Sequence, residues 1–496
     1  MVLTASEAAT KITTSRVRPV SIRAGITPKP AGRASGDRAM YGVPVLPVTG
    51  LGGGSVKYPF FPVARVAVVG VTCVAIAGFV GCSSGAGTDD GGQPAPATAD
   101  AATDDPTGQA VAVEPPGAVE LRAQLEQLLG QHAILTVRLT RARLRGDADL
   151  AQSADEALNK NTADIGALIE AAYGAQAAES FEQGWFNHVT SLFNYARGVA
   201  DDDATVTSVA RRQLDDHVNE LSQYFAEATN QVASAAVVED ELRMHVDQLI
   251  AQVDAYAAED YEGAYQLERE TYAHMFPLGK ALAAAIVTGE GAELPAAFDS
   301  PAAELQSQLG MKFGEHAELA VDAMRSGISG LPDFPAAAGA LEQNTSEIVG
   351  MIDSVFGAES AGSFQELWAD HIDAFVAYTQ ALADGDKAAQ DAAQGRLTGF
   401  NSDFAQFLST STDGRLGTAA LADAFVMHED MLLQQINEYA AADYRTAHQV
   451  SYEAYQHMFA LAEQAATAIG QTVAAGSPEG GAQTGGGGTA AAIAGG

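Results

Sequence analysis

Ten histidines are distributed along this 496-residue chain, and eight of them fall into four pairs. His132 pairs with His316, His188 with His371, His245 with His428 and His274 with His457, each pair at nearly the same separation in the sequence. In one helical stretch Phe181, Trp185, His188, Leu192 and Tyr195 recur at alternating steps of about four and three residues, which is one buried stripe. The second copy reads Phe364, Trp368, His371, Phe375 and Tyr378. His245 lies between Leu242 and Leu249, His274 between Leu267 and Leu278, and His132 between Leu125 and Leu139. A buried imidazole needs a partner for each ring nitrogen, and a metal ion satisfies one nitrogen on several rings at once. Each histidine is near the middle of its helix, so four inward groups from one bundle can meet in a common layer.

The predicted metal ligands are therefore His132, His188, His245 and His274 in the first copy, and His316, His371, His428 and His457 in the second. Glu270 and Glu453 lie four residues before His274 and His457 on the same helix face, as further ligands or hydrogen-bond acceptors. Asp247 and Asp430 are expected to face solvent, Met275 and Met458 to fill core, and Tyr272 and Tyr455 to point away from the adjacent histidine. His217 and His448 have no counterpart and are expected at the surface. The alternative is a metal-free polar core in which the same histidines only hydrogen-bond.

Other chemistries find little support. The chain has two cysteines, Cys73 and Cys82. There is no H-E-x-x-H, C-x-x-C-H or G-x-S-x-G, no Gly-rich phosphate loop after a strand, and no E-x-x-H pair of the di-iron bundles. A site of imidazole with carboxylate help suits copper, zinc, nickel or iron, and copper tops the divalent affinity series. Beyond residue 65 the chain holds 18 basic and 61 acidic side chains. Such a surface attracts cations and repels nucleic acid, which excludes DNA and RNA as partners.

These residues must be positioned by helices, and the rest of the sequence says how. Segment 118–290 aligns with 302–474 as an internal duplication. Asn161 matches Asn344, Met244-His245 matches Met427-His428, Tyr256 matches Tyr439, and Asp260-Tyr261 matches Asp443-Tyr444. Both copies are rich in Ala, Leu, Gln and Glu with few β-branched runs, so the fold class is all-α: two tandem, duplicated up-and-down helical bundles. In the first copy helices are expected near 118–144, 150–172, 178–200, 205–230, 237–257 and 260–285. Residues 1–81 form a signal and upstream region. There Arg65 precedes an apolar run over 66–80 that is short for a membrane-spanning helix. The run ends in Phe79-Val80-Gly81-Cys82-Ser83-Ser84, which resembles a bacterial lipobox and implies cleavage before Cys82 and lipid on its sulfur. Residues 82–117 are predicted to be a lipid-anchored disordered linker, and 475–496 a Gly-rich flexible tail.

The repeated text N-T-x-x-I, F-x-x-x-W-x-x-H, M-H-x-D, Y-x-x-x-D-Y and Y-x-H-M-F resembles secreted Gram-positive proteins labelled copper-amine-oxidase-like. The resemblance covers both copies and implies copper and the cell envelope. The oxidase motifs themselves are missing: Asn194-Tyr195-Ala196 lacks the acidic residue that follows a quinone-forming tyrosine, and no H-x-H occurs. Together these readings predict an extracytoplasmic lipoprotein on the outer face of the membrane, binding copper, or else zinc or iron, for storage, buffering or transfer. A metal-dependent oxidase or ferroxidase and a metal-free helical interaction module are the competing classes.

Overall fold

The computed structural model describes residues 116–289 and 291–476. Residues 1–81, the lipobox cysteine Cys82, nearly all of the linker and most of the tail lie outside them. Among the described residues there are twelve α-helices and no strand. The first copy comprises α1 (Ala118–Arg145), α2 (Ala148–Tyr173), α3 (Ala175–Ala200), α4 (Ala204–Ala228), α5 (Ala235–Ala257) and α6 (Tyr261–Gly289). The second comprises α7 (Pro301–Ser329), α8 (Phe334–Phe356), α9 (Ala358–Asp384), α10 (Lys387–Ser411), α11 (Thr418–Ala440) and α12 (Tyr444–Gly476). No described helix is long and apolar enough to cross a membrane.

The helix limits follow local chemistry. The Asp147 carboxylate accepts from the Leu150 amide at the start of α2, and Asp203 accepts from Thr205 and Val206 at the start of α4. Ser300 caps α7 with Pro301 in its first turn. Gly146, Gly330 and Gly385 end helices in the left-handed conformation, where a side chain would be strained. A single residue joins α2 to α3 and α8 to α9. It is glycine in both copies, Gly174 (φ 84°, ψ 169°) and Gly357 (φ 84°, ψ 168°), a region of backbone space closed to other residues. That corner fixes where the helix carrying His188 or His371 begins.

The stripe residues face inward as their spacing predicts. Phe181, Trp185, His188, Leu192 and Tyr195 are all buried, as are their five counterparts on α9. The helices α1 and α7 differ from the amphipathic expectation, because they are buried on every side along their middle turns. Each is covered by its own copy on one side and by the other copy on the other. The two tandem bundles thus pack together within one compact unit.

Their shared interface is approximately two-fold. The Tyr272 and Tyr455 hydroxyls, which occupy matched positions, meet at 3.2 Å. Tyr272 also donates to the Met311 carbonyl, and Tyr455 to the Gln127 carbonyl, the matched carbonyl in the other copy. The matched glycines Gly130 and Gly314 make room for these rings. A Cβ at Gly130 would come within 2.7 Å of the Tyr455 hydroxyl, and one at Gly314 within 2.8 Å of the Tyr272 hydroxyl. Phe276 and Phe459 stack alongside at 6.2 Å between centroids.

The same interface buries ions. Arg138 and Asp322, matched positions that diverged to opposite charge, pair with each other at 2.7 Å. Arg138 also pairs with Glu318, Arg141 with Glu268 at 2.8 Å, and Arg269 with Glu315 at 2.8 Å. Truncating one member of such a buried pair costs about 3–5 kcal/mol, because the partner is left uncompensated. His448, expected at the surface, belongs here too: it is 2% exposed and its Nδ1 lies 3.0 Å from the Ser153 hydroxyl. An apolar stripe analysis has no means of finding it, since its burial comes from the other copy.

Candidate metal centre

Three of the four histidines in each copy converge. His132 on α1, His188 on α3 and His245 on α5 place ring centroids 5.7, 5.8 and 5.7 Å apart, an almost regular triangle. In the second copy His316 on α7, His371 on α9 and His428 on α11 do the same, with the His371 ring centroid 6.1 Å from His316 and 6.2 Å from His428. In each triad one ring nitrogen per residue lies within 4.8 Å of the other two, and all six residues are buried. Each triad can hold a metal ion.

The surroundings keep these rings neutral. Burial lowers His188, His316 and His371 to about 3, and pushes His132, His245 and His428 well below the usual histidine range. Their lone pairs are therefore free of protons across the neutral range. Four ring nitrogens of the triads are buried with no hydrogen-bond partner: Nε2 of His132 and His245, and Nδ1 of His316 and His428. Such orphaned atoms cost free energy in a purely structural core. A metal ion is one partner that would satisfy them, which favours a ligand role over a polar core.

The fourth histidine does something different. His274 Nε2 lies 3.1 Å from the Glu241 carbonyl, and His457 Nε2 lies 2.9 Å from the matched Ala424 carbonyl. Both carbonyls sit one turn before a triad histidine, so the bond pins α6 to α5, and α12 to α11, beside His245 and His428. Asn161 and Asn344 act alike, donating to the Leu128 and Lys312 carbonyls at 3.0 Å, one turn before His132 and His316. The four-histidine layer expected from the sequence is thus three ligand-competent rings plus one tie. Glu270 and Glu453 are exposed and accept from Gln266 and Gln449 on their own helices. Helical periodicity placed them on the histidine's face of the helix, but that face is a flank at their height, not the core.

Met275 and Met458 are core residues as expected. His217, expected at the surface, is half-buried with its Nδ1 3.4 Å from a Glu220 carboxylate oxygen.

The rings of the two triads are oriented by different partners. In the first copy the Trp185 indole N–H donates to His132 Nδ1 at 3.1 Å, and the Thr271 hydroxyl lies 3.4 Å from His245 Nδ1. An indole can only donate, so a neutral His132 carries its proton on Nε2. A metal arriving at either nitrogen of the neutral ring must end the Trp185 bond. In the second copy His371 Nδ1 lies 3.2 Å from Glu429 Oε1, while Asn401 donates to Glu429 Oε2 at 2.7 Å. Burial raises the Glu429 carboxyl to about 8. At neutral pH that carboxyl is mostly protonated, so it orients the His371 ring and would supply compensating charge only on losing its proton. The first copy has Val246 and Val218 at the matched positions. Sequence reasoning missed Glu429 and Asn401. The signal was an acid beside His428 where its copy keeps valine.

Fold and site define a class: an all-α, internally duplicated protein with a buried trihistidine cluster in each half. No family model, no curated protein and no solved structure matches the chain.

Proposed function

We propose that this chain is a lipid-anchored envelope protein that binds one transition-metal ion at each triad, copper foremost, for storage, buffering or transfer. The observation that carries the reading is a buried, uncharged trihistidine cluster built the same way twice, with orphaned ring nitrogens in both. Three neutral imidazoles give the first triad no anion to offset a divalent charge, and burying uncompensated charge is costly. Copper suits imidazole and offers a monovalent state. The acidic exterior concentrates cations near the protein. The lipobox at Cys82 supports an anchored, extracytoplasmic setting.

Metal analysis of protein purified without a histidine tag tests the reading. Two equivalents of copper are expected, retained in competition with zinc and reduced to none in a His188→Ala/His371→Ala double variant. Undiminished binding in that variant would place the metal on the acidic surface. Absence of any tight site for copper, zinc, nickel or iron would leave the histidines as a polar core. Cys82→Ser should release the protein from the membrane fraction, and normal processing with retention would remove the anchor from the proposal.

A further inference from the structure

The two triads differ in what lies beside them. An apolar cavity of about 30 Å³ abuts the second triad, and the rings of His316 and His371 form part of its wall. That space is enough to admit a molecule of a few atoms and no more. Apart from those imidazoles and the Thr379 hydroxyl, its wall is apolar. An uncharged diatomic needs no polar partner, which suits a wall with so few polar atoms. Three alanines, Ala320, Ala323 and Ala338, create the space. Their counterparts in the first copy are Thr136, Leu139 and Asp155. Leu139 is 1% exposed. The groove on that side of the first copy runs past Leu139, Val189 and Phe193, and no histidine lines it.

We infer that the second triad, and not the first, presents its metal to a small uncharged diatomic ligand of the dioxygen, nitric oxide or carbon monoxide class, held in this cavity. The inference rests on the metal-binding reading above. A three-imidazole site leaves a coordination position open, and only in the second copy does free volume reach the histidine rings. The first triad is enclosed by side chains and serves metal alone. The duplication has thus yielded two sites of the same ligand set and unequal access.

Carbon monoxide and Cu(I) are the direct probe. The full chain, loaded anaerobically with Cu(I), is exposed to carbon monoxide and read by infrared spectroscopy alongside copper stoichiometry. One carbon monoxide per two coppers is expected. Ala323→Leu, which installs the residue of the first copy, should abolish the carbonyl band while both coppers stay bound. Ala320→Thr is a second, smaller filling of the same space and should weaken it, which keeps the test decisive if the leucine variant does not fold. Xenon binding to the metal-free chain, followed by 129Xe chemical shift, reads the cavity independently of metal. It should show one saturable site that is lost in the filled variants. Failure to bind copper with a normal xenon site would sink the metal reading and not the cavity. Two bound coppers with no carbonyl, with two carbonyls, or with a band that survives in both filled variants would overturn the inference.

Discussion

The two tryptophans of the chain stand one beside each triad, which makes every loading event visible without labels. Trp185 lies 4.7 Å from the His132 ring and 5.9 Å from His188; Trp368 lies 4.6 Å from His316 and 5.6 Å from His371, all between centroids. A transition-metal ion among those rings is within quenching distance of one indole. Trp368→Phe leaves Trp185 as the reporter for the first triad. In that background copper should quench the emission to completion by the time both triads are filled at two equivalents, and the emission should change further because loading ends the Trp185–His132 hydrogen bond. Adding His188→Ala removes one of three ligands from the first triad only. The Trp185 signal should then be indifferent to the first equivalent of copper, while total binding falls from two equivalents to one. Stability follows the same logic: at free metal a hundredfold above Kd, each loaded site adds about 2.7 kcal/mol. The wild type should therefore gain about 5 kcal/mol and the His188→Ala variant about half of that. Fluorescence titration and urea denaturation, with and without copper, measure both. If Trp185 is quenched stoichiometrically in the His188→Ala background, the triad geometry is not the binding site and the reasoning fails.

Two further outcomes separate roles that the sequence could not. His274→Ala should keep two equivalents of metal but weaken the first site by about 10- to 100-fold, as loss of an orienting partner does; loss of that equivalent outright would make His274 a ligand. The metal-free protein should be acid-sensitive. Folded-state values of about 3 for His188, His316 and His371 lie below the unfolded value near 6.5, so their contribution is complete above pH 6.5 and is lost as pH falls. By pH 5 each loses about 2 kcal/mol, and a urea midpoint unchanged between pH 7 and pH 5 would contradict the burial of these rings as neutral groups.

Much of this protein was legible from spacing alone. The helical period carried Phe181, Trp185 and His188 onto one face, and the match to Phe364, Trp368 and His371 showed that the face was kept twice. Apolar burial is a local property of an amphipathic helix, so the stripe and the inward histidines could be read residue by residue. Gly146, Gly174 and Asp203 bound helices through backbone chemistry that needs no tertiary partner. What the period cannot encode is the height and rotation of one helix against another. That is why His274 and His457 read as ligands and instead bind a carbonyl one turn before a ligand, and why Glu270 and Glu453 proved to be exposed. Only the packed structure decided that α1 and α7 are covered on all sides, which buries Arg138, Arg141 and His448 in positions that look solvated in sequence. Only it showed that the diverged pair Arg138 and Asp322 are each other's partners, and that Ala323 opens, where Leu139 closes, the way to a triad. A sequence records which face of each helix avoids water; which groups meet across those faces depends on all the helices at once.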